Sequence, residues 1–450
     1  MSDAVVDPRP LDLLVTGGHV LAADDADTQV PDGAVAIRDG RVVAIGPAAE
    51  ITRAYTAAHT IDAGDCLVLP GLINAHSHLA MNLFRGRADD VDLGTFLERL
   101  VAAESATLTA DVVASAVRVA VAESIRAGVT SAMDMYWFPE AGLAAADAAG
   151  FRLITGPTFM DVPGPPDGLD FAERLRRAPE FLRTGGARCV TPHSTYTLDP
   201  DQLLAVAALA REHGALLHVH AAENPAEVDT VLARHGRRPV ELLHDLGLLG
   251  PATLLAHAVS LTDHEIDLIA ASGAGVAHCP VSNLKLASGI ARVPELLAAG
   301  VPVGLGSDGA VSANALELFT PMRTAAVLHR VGADADATAV GARAAVRMAT
   351  IEGARAVGVG ALTGSLEVGK AADLIVLDLN RPHLTPRHDP WSTLAYAAGP
   401  ADVRDTVIDG RIVMCDRRLR TIDESAAIKE LEAVAAFLPA VPDRPNGYPS

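Results

Sequence analysis

His76 and His78 stand two residues apart at the end of an apolar run, LVLPGLINAHSHL, over 67–79. At a strand's period of two, both imidazoles leave the same face. Two histidines on one face of a strand end make half of a metal site. Other apolar runs close the same way. His193 ends ARCVTPH, His220 ends ALLHVH with Glu223 three residues on, His257 ends ATLLAH, and Asp308 ends VPVGLGSD. Random scatter of 16 histidines would not favour run ends for five of them.

The residue types assign chemistry. Three imidazoles and a carboxylate suit a borderline first-row cation such as Zn2+ or Fe2+, which makes His76, His78, His220 and Asp308 the ligand candidates. Water on such a cation loses its proton near neutral pH, so hydroxide becomes available as a nucleophile. Glu223 is spaced to reach over that water, take its proton and hand it to a leaving group. His257 is placed to polarise either the water or the electrophilic carbon of a substrate. Each residue also has a bland reading taken singly. The paired histidines could be loop residues, Glu223 a helix-start carboxylate, and His220, His257 and Asp308 hydrogen-bonded core groups. The convergence of all of them on run ends favours the site. His218 shares a face with His220 and His278 ends another run, and neither receives a role.

These residues need a scaffold that brings run ends together. Between 66 and 364, eight short apolar runs (66–72, 128–135, 151–156, 187–193, 215–220, 252–257, 274–280 and 301–308) alternate with Ala-rich helical stretches such as 110–127, 200–213, 225–235 and 262–272. That alternation predicts an α/β fold with a (β/α)8 TIM-like barrel, whose chemistry gathers at the C-terminal ends of its strands. The stretch 88–108 reads as a loop-helix insertion after the first strand, a lid. Segments 1–65 and 365–422 have a different texture, short strands broken by Asp39-Gly40 and Asp409-Gly410, both hairpin signals. They predict a small β-sandwich domain built from both chain ends, leaving 423–450 as a terminal helix and tail.

The bulk properties narrow the partners. A net charge of −20 argues against a nucleic-acid backbone. Apolar runs are short and interrupted, so no membrane span is expected. The N-terminus, MSDAVVDPRP, lacks the layout of a signal peptide. Four scattered cysteines without a CxxC pair suit a reducing compartment, hence the cytoplasm.

Taken together, the motifs PGLINAHSHLAMNLFRG, TPHSTYTL, HVHAAEN, LLAHAV, HCPVSNLKLASGIARV, GLGSDGAVSANAL and GSLEVGKAADLIVLDL resemble the amidohydrolase superfamily. The resemblance is to its branch of S-adenosylhomocysteine/methylthioadenosine deaminases and triazine hydrolases. It spans essentially the whole chain. It implies one divalent metal ion per chain, Zn2+ with Fe2+ or Mn2+ as alternatives, on His76, His78, His220 and Asp308. It also implies Glu223 as proton shuttle and His257 as a second catalytic residue beside Asp308. Binuclear members carry a bridging carboxylated lysine on a middle strand, and none of the three lysines here lies on the fourth run. The resemblance places Glu104 at the ribose hydroxyls and His193 at the purine.

The expected reaction is hydrolytic deamination of an aminated N-heterocycle, favouring an adenine nucleoside of the methylthioadenosine or adenosine type. The branch also offers a triazine, a free nucleobase or a cyclic amide as substrate. A catalytically dead binding protein is the non-enzymatic alternative. Relatives that bind homocysteine carry an arginine just after the third strand, where this chain has Gly156 and Pro157, with Arg174 and Arg176 the nearest substitutes. A dimer or tetramer is expected by resemblance only.

Overall fold

The computed structural model describes residues 10–162, 164–183, 188–331 and 336–438. Most of the N-terminal segment read above for a leader, and the tail after 438, lie outside the described residues. Eight parallel strands form the heart of the fold: β1 Leu72–His78, β2 Val129–Asp134, β3 Arg152–Ile154, β4 Cys189–Pro192, β5 Leu216–Ala221, β6 Thr253–His257, β7 Gly275–His278 and β8 Val303–Leu305. All their residues except Arg152 are buried. That is the pattern of parallel strands covered on both faces, and it explains why they read as continuous apolar runs.

Hydrogen bonding links these strands in two arcs. One runs in order from β8 back to β4 and on to the short strand Thr158–Phe159. The other joins Asp308–Gly309, β1, β2 and β3. A single bridge, Thr155 to Arg188, spans one seam. At the other, β8 continues through Gly306 to Asp308, which pairs with Ser77 of β1. A side chain at Gly306 would put its Cβ 3.0 Å from His76 Cβ and 2.7 Å from Cys279 Sγ, so only glycine lets the chain pass here.

The helices expected from the sequence form at Ala110–Arg126, Pro200–His213, Pro225–His235 and Asp263–Ser272. Each starts at a side chain that accepts an orphan backbone N–H: Thr109, Asp199, Asn224 and Thr262 respectively. The stretch 88–108 holds the helix Leu93–Thr107, capped by Asp92, which roofs the cleft above β1.

One expectation needs correcting. The run 66–72 is not the first strand of the parallel set. Cys66–Pro70 pairs with Leu374–Asp378 and with the strand Leu11–Leu21, inside the small sheet. The break falls at Gly71, whose N–H donates to Asp373 and where an added Cβ would lie 2.2 Å from Thr130. A single apolar run therefore serves two sheets, and hydrophobicity alone cannot mark the change because both halves are buried.

The small sheet draws its strands from 11–70 and from 374–419. Hydrogen bonding joins all nine of its strands into one continuous mixed sheet. Both Asp-Gly signals are two-residue hairpins with two left-handed residues: Asp39 and Gly40 at φ 51° and 73°, Asp409 and Gly410 at φ 47° and 73°. Arg152 on β3 fastens the two parts, donating to both carboxylate oxygens of Asp373 at 3.0–3.2 Å. Among the described residues no single helix is long and apolar enough to cross a membrane.

Candidate active site

The C-terminal ends of β1, β5 and β6 and the residues after β8 converge. His76 Nε2 and His78 Nε2 lie 3.4 and 3.3 Å from Asp308 Oδ1. The His220 ring centroid is 4.9 Å from that of His76 and 5.4 Å from that of His257, on which it stacks. His76 groups with His220 and His257, and again with His78 and Asp308, closely enough for one cation to be shared.

The rings point inward because their other nitrogens are taken. His78 Nδ1–H donates to the Met135 carbonyl at 2.6 Å and His220 Nδ1–H to the His193 carbonyl at 2.7 Å. His257 Nδ1–H donates to Asn283 Oδ1 at 2.8 Å. His76 Nδ1 meets His218 Nε2 at 3.0 Å. Such partners fix the tautomer and leave Nε2 as the donor to a metal.

The donor set fits a divalent cation on two observations. His76 Nε2 is buried without a hydrogen-bond partner, a costly state for a polar atom that a cation would relieve. Two of the ligand candidates, His76 and His220, are also disfavoured from taking a proton, as ligands must be. Burial pushes His76 down to about 4 and His220 well below its ordinary range. Asp308 is the countercharge. Burial opposes its ionisation, but the imidazoles of His76, His78 and His257 outweigh it and hold the carboxyl well below the usual range. Its Oδ2 accepts from Ser282 at 2.5 Å and Ser312 at 2.7 Å, leaving Oδ1 for the cluster. Asp308, His257 and Ala258 all have positive φ (60°, 70° and 47°), a strain kept where the chain must re-aim side chains.

Glu223 follows β5 in the turn HAAE, with Oε2 4.0 Å from His257 Nε2. Burial raises its affinity for a proton, and the charge on His257 works against that.

A cleft opens from the cluster, lined by His78, Glu104, His193, His220, Glu223, His257 and Asp308. His76, fully buried, lies behind this wall. Glu104 is no solvated helix charge. It is 5% exposed and accepts from Tyr136 Oη at 2.7 Å and Trp137 Nε1 at 3.1 Å. Leu93, Phe96, Leu97, Leu100, Val101 and Met160 give the cleft its apolar wall, and among the described residues neither Arg nor Lys lines it. Arg174 is committed elsewhere, paired with Asp167 and lying 5.0 Å from the Trp137 ring. Arg176 is exposed and pairs with Glu173. Lys285 pairs with Asp89 at 2.5 Å, away from β4.

The structure also brings in residues the sequence reading left without a role. His218 braces His76. Asp134, at the end of β2, accepts from the Leu79 N–H at 2.7 Å, and burial raises it to about 6. His278 stays in the core with both ring nitrogens unpartnered, beside His329. The shared face of His218 and His220 was the available signal for the first. Asp134 carries none, because its partner comes from another strand.

Comparison with known proteins places these features. The amidohydrolase family model matches residues 67–413, and an imidazolonepropionase-like composite domain of bacteria matches 33–58. A 5-methylthioadenosine/S-adenosylhomocysteine deaminase of Syntrophobacter fumaroxidans is 45% identical over 432 residues, covering 94% of this chain and 98% of the relative. A 5'-deoxyadenosine deaminase of Methanosarcina mazei is 39% identical over 433 residues, covering 95% and 99%. A crystal structure of an adenosine deaminase from Xanthomonas campestris with bound zinc superposes with a TM-score of 0.91 at 36% identity, covering 96% of this chain and 99% of that one.

Proposed function

The chain belongs to the amidohydrolase family, and on that premise we propose that it is a metal-dependent hydrolytic deaminase of adenine nucleosides. The carrying observation is the cluster of inward Nε2 atoms and Asp308 Oδ1 with Glu223 beside it, at the inner end of an apolar, aromatic-walled cleft. We assign His76, His78, His220 and Asp308 as the ligands of one divalent ion, Zn2+ first. Held there, such an ion acts as a Lewis acid that brings the pKa of water toward neutrality.

The chain's own residues handle the protons. Glu223 takes one from the attacking water and delivers it to the ring nitrogen next to the amine-bearing carbon, then assists loss of ammonia. The exocyclic C–N bond breaks, a carbonyl replaces it, and one water is consumed. His257, held by Asn283, faces the same carbon and steadies the incoming oxygen. Asp308 accepts from that water through Oδ1. Glu104 is assigned to the ribose hydroxyls, its carboxylate oriented by Tyr136 and Trp137, and His193 to the purine edge.

The cleft further favours a nucleoside whose 5' substituent is apolar and small, such as methylthio or hydrogen. A carboxylate on the substrate would need a guanidinium clamp. Instead it would meet an apolar roof, with Glu104, Glu223 and Asp308 nearby. The two arcs of parallel strands are read as one (β/α)8 cylinder, and the nine-stranded sheet as folding over into a sandwich around its own apolar cluster. On this reading Cys66–Pro70 joins 1–65 and 365–422 in the small unit, the rest of 66–364 forms the other, and 423–450 follows them. Three of its four free cysteines are buried, which supports a cytoplasmic setting.

The test is a substrate panel read by ammonia release: methylthioadenosine, 5'-deoxyadenosine, adenosine, S-adenosylhomocysteine, guanine and aminotriazines. The reading expects the first two to lead, with S-adenosylhomocysteine at least ~10-fold lower in kcat/KM, the scale of one unmet charged contact. Release confined to free bases or triazines would overturn the nucleoside assignment.

A further inference from the structure

Glu227 stands four residues past Glu223, in the first turn of the helix Pro225–His235. With Asn224 as N-cap, it occupies the third helical position. A glutamate there ordinarily reaches back to the N-cap N–H in a capping box. Here the carboxylate reaches further. Its Oε2 accepts from the Glu223 N–H at 2.6 Å, and its Oε1 from the Ala222 N–H at 3.1 Å. Thr195 Oγ1 lies 3.5 Å from the same Oε1. The capping task falls to Asn224 instead, which accepts from the Glu227 N–H at 2.8 Å.

The turn being gripped is strained. Ala222 has φ +53°, a left-handed conformation that costs a residue with a Cβ. Placing a second carboxylate here is itself unfavourable. Glu227 is 6% exposed, and burial together with the neighbouring Glu223 charge raises it to about 7. A cap alone would not require this, since Asn224 already supplies one.

We propose that Glu227 is a positioning residue. By holding two consecutive backbone N–H groups of the β5 exit turn, it fixes the aim of the Glu223 carboxylate into the cleft. The inference rests on the reading of Glu223 as the proton shuttle. It explains why the turn HAAE can follow a strand end without a glycine. The two N–H groups would otherwise be buried donors, and the side chain that satisfies them comes from the next element of the chain.

The test is a double-mutant cycle on the zinc-loaded full-length protein, with Glu227→Gln and Glu223→Gln, alone and together, assayed by ammonia release from methylthioadenosine. A glutamine at 227 keeps the size but offers one acceptor for two donors. Glu227→Gln is expected to lower kcat ~10–100-fold, the cost of a misplaced catalytic group, with KM and metal content near those of the unaltered protein. In the Glu223→Gln background the same change should cost less than about threefold, because nothing is left to aim. Equal losses in both backgrounds, or a lower Tm with kcat unchanged, would make Glu227 a structural cap and overturn the proposal. If Glu223→Gln alone leaves turnover intact, the shuttle reading fails instead.

Discussion

Each imidazole in the cluster works because of its far side. His78, His220 and His257 each spend Nδ1–H on a carbonyl oxygen, and His76 leans on His218. His218→Leu should therefore leave the fold intact but weaken metal affinity ~10–100-fold, measured by competition with a chelator. Unchanged affinity would mean that packing alone orients His76. Glu223→Gln should keep one metal per chain and lower kcat ~100-fold or more, with metal content and ammonia release measured on the same sample. At this scale the ligand candidates were legible because a period of two puts His76 and His78 on one face and because strand ends collect function. The setting of Glu104 was not legible. Its partners Tyr136 and Trp137 follow another strand, and sequence spacing says nothing about contacts across strands.

Among the elements, the passage from small sheet to parallel strands is the tightest point. Cys66–Pro70 and β1 are separated by Gly71 alone, packed against Thr130. Gly71→Ala should destabilise by ~1–3 kcal/mol through overpacking, seen as a fall in Tm, and Thr130→Ala should restore part of it. No change in Tm would show that the strands relax apart at little cost. Four helices were legible from their Ala-rich composition between apolar runs, and their bounds agree closely with the expected windows. The split of the 66–79 run was not, since burial on both sides of Gly71 makes the two strands equally apolar. The role of the helix Leu93–Thr107 was legible only in outline. Its position after the first strand suggested a cover, but which of its side chains would face the cleft depends on how it docks.

For the whole molecule, the β texture at both ends led to the expectation of a small β-sandwich domain from distant segments, and the Asp-Gly pairs marked its hairpins. That all nine strands join in one hydrogen-bonded sheet was not readable, because strand order depends on pairings between residues hundreds of positions apart. The sheet and the parallel strands meet at Arg152 and Asp373, so the chain ends brace the scaffold on which the cluster is built. The central claim is that this scaffold presents one metal-dependent deaminating site. The most direct measurement titrates Zn2+ into metal-stripped protein and follows ammonia release from methylthioadenosine. The account predicts no release without metal, then a rise that levels off at one equivalent per chain, with one ammonia formed per nucleoside consumed. Full turnover in the stripped protein, or consumption of the nucleoside without ammonia, would contradict it.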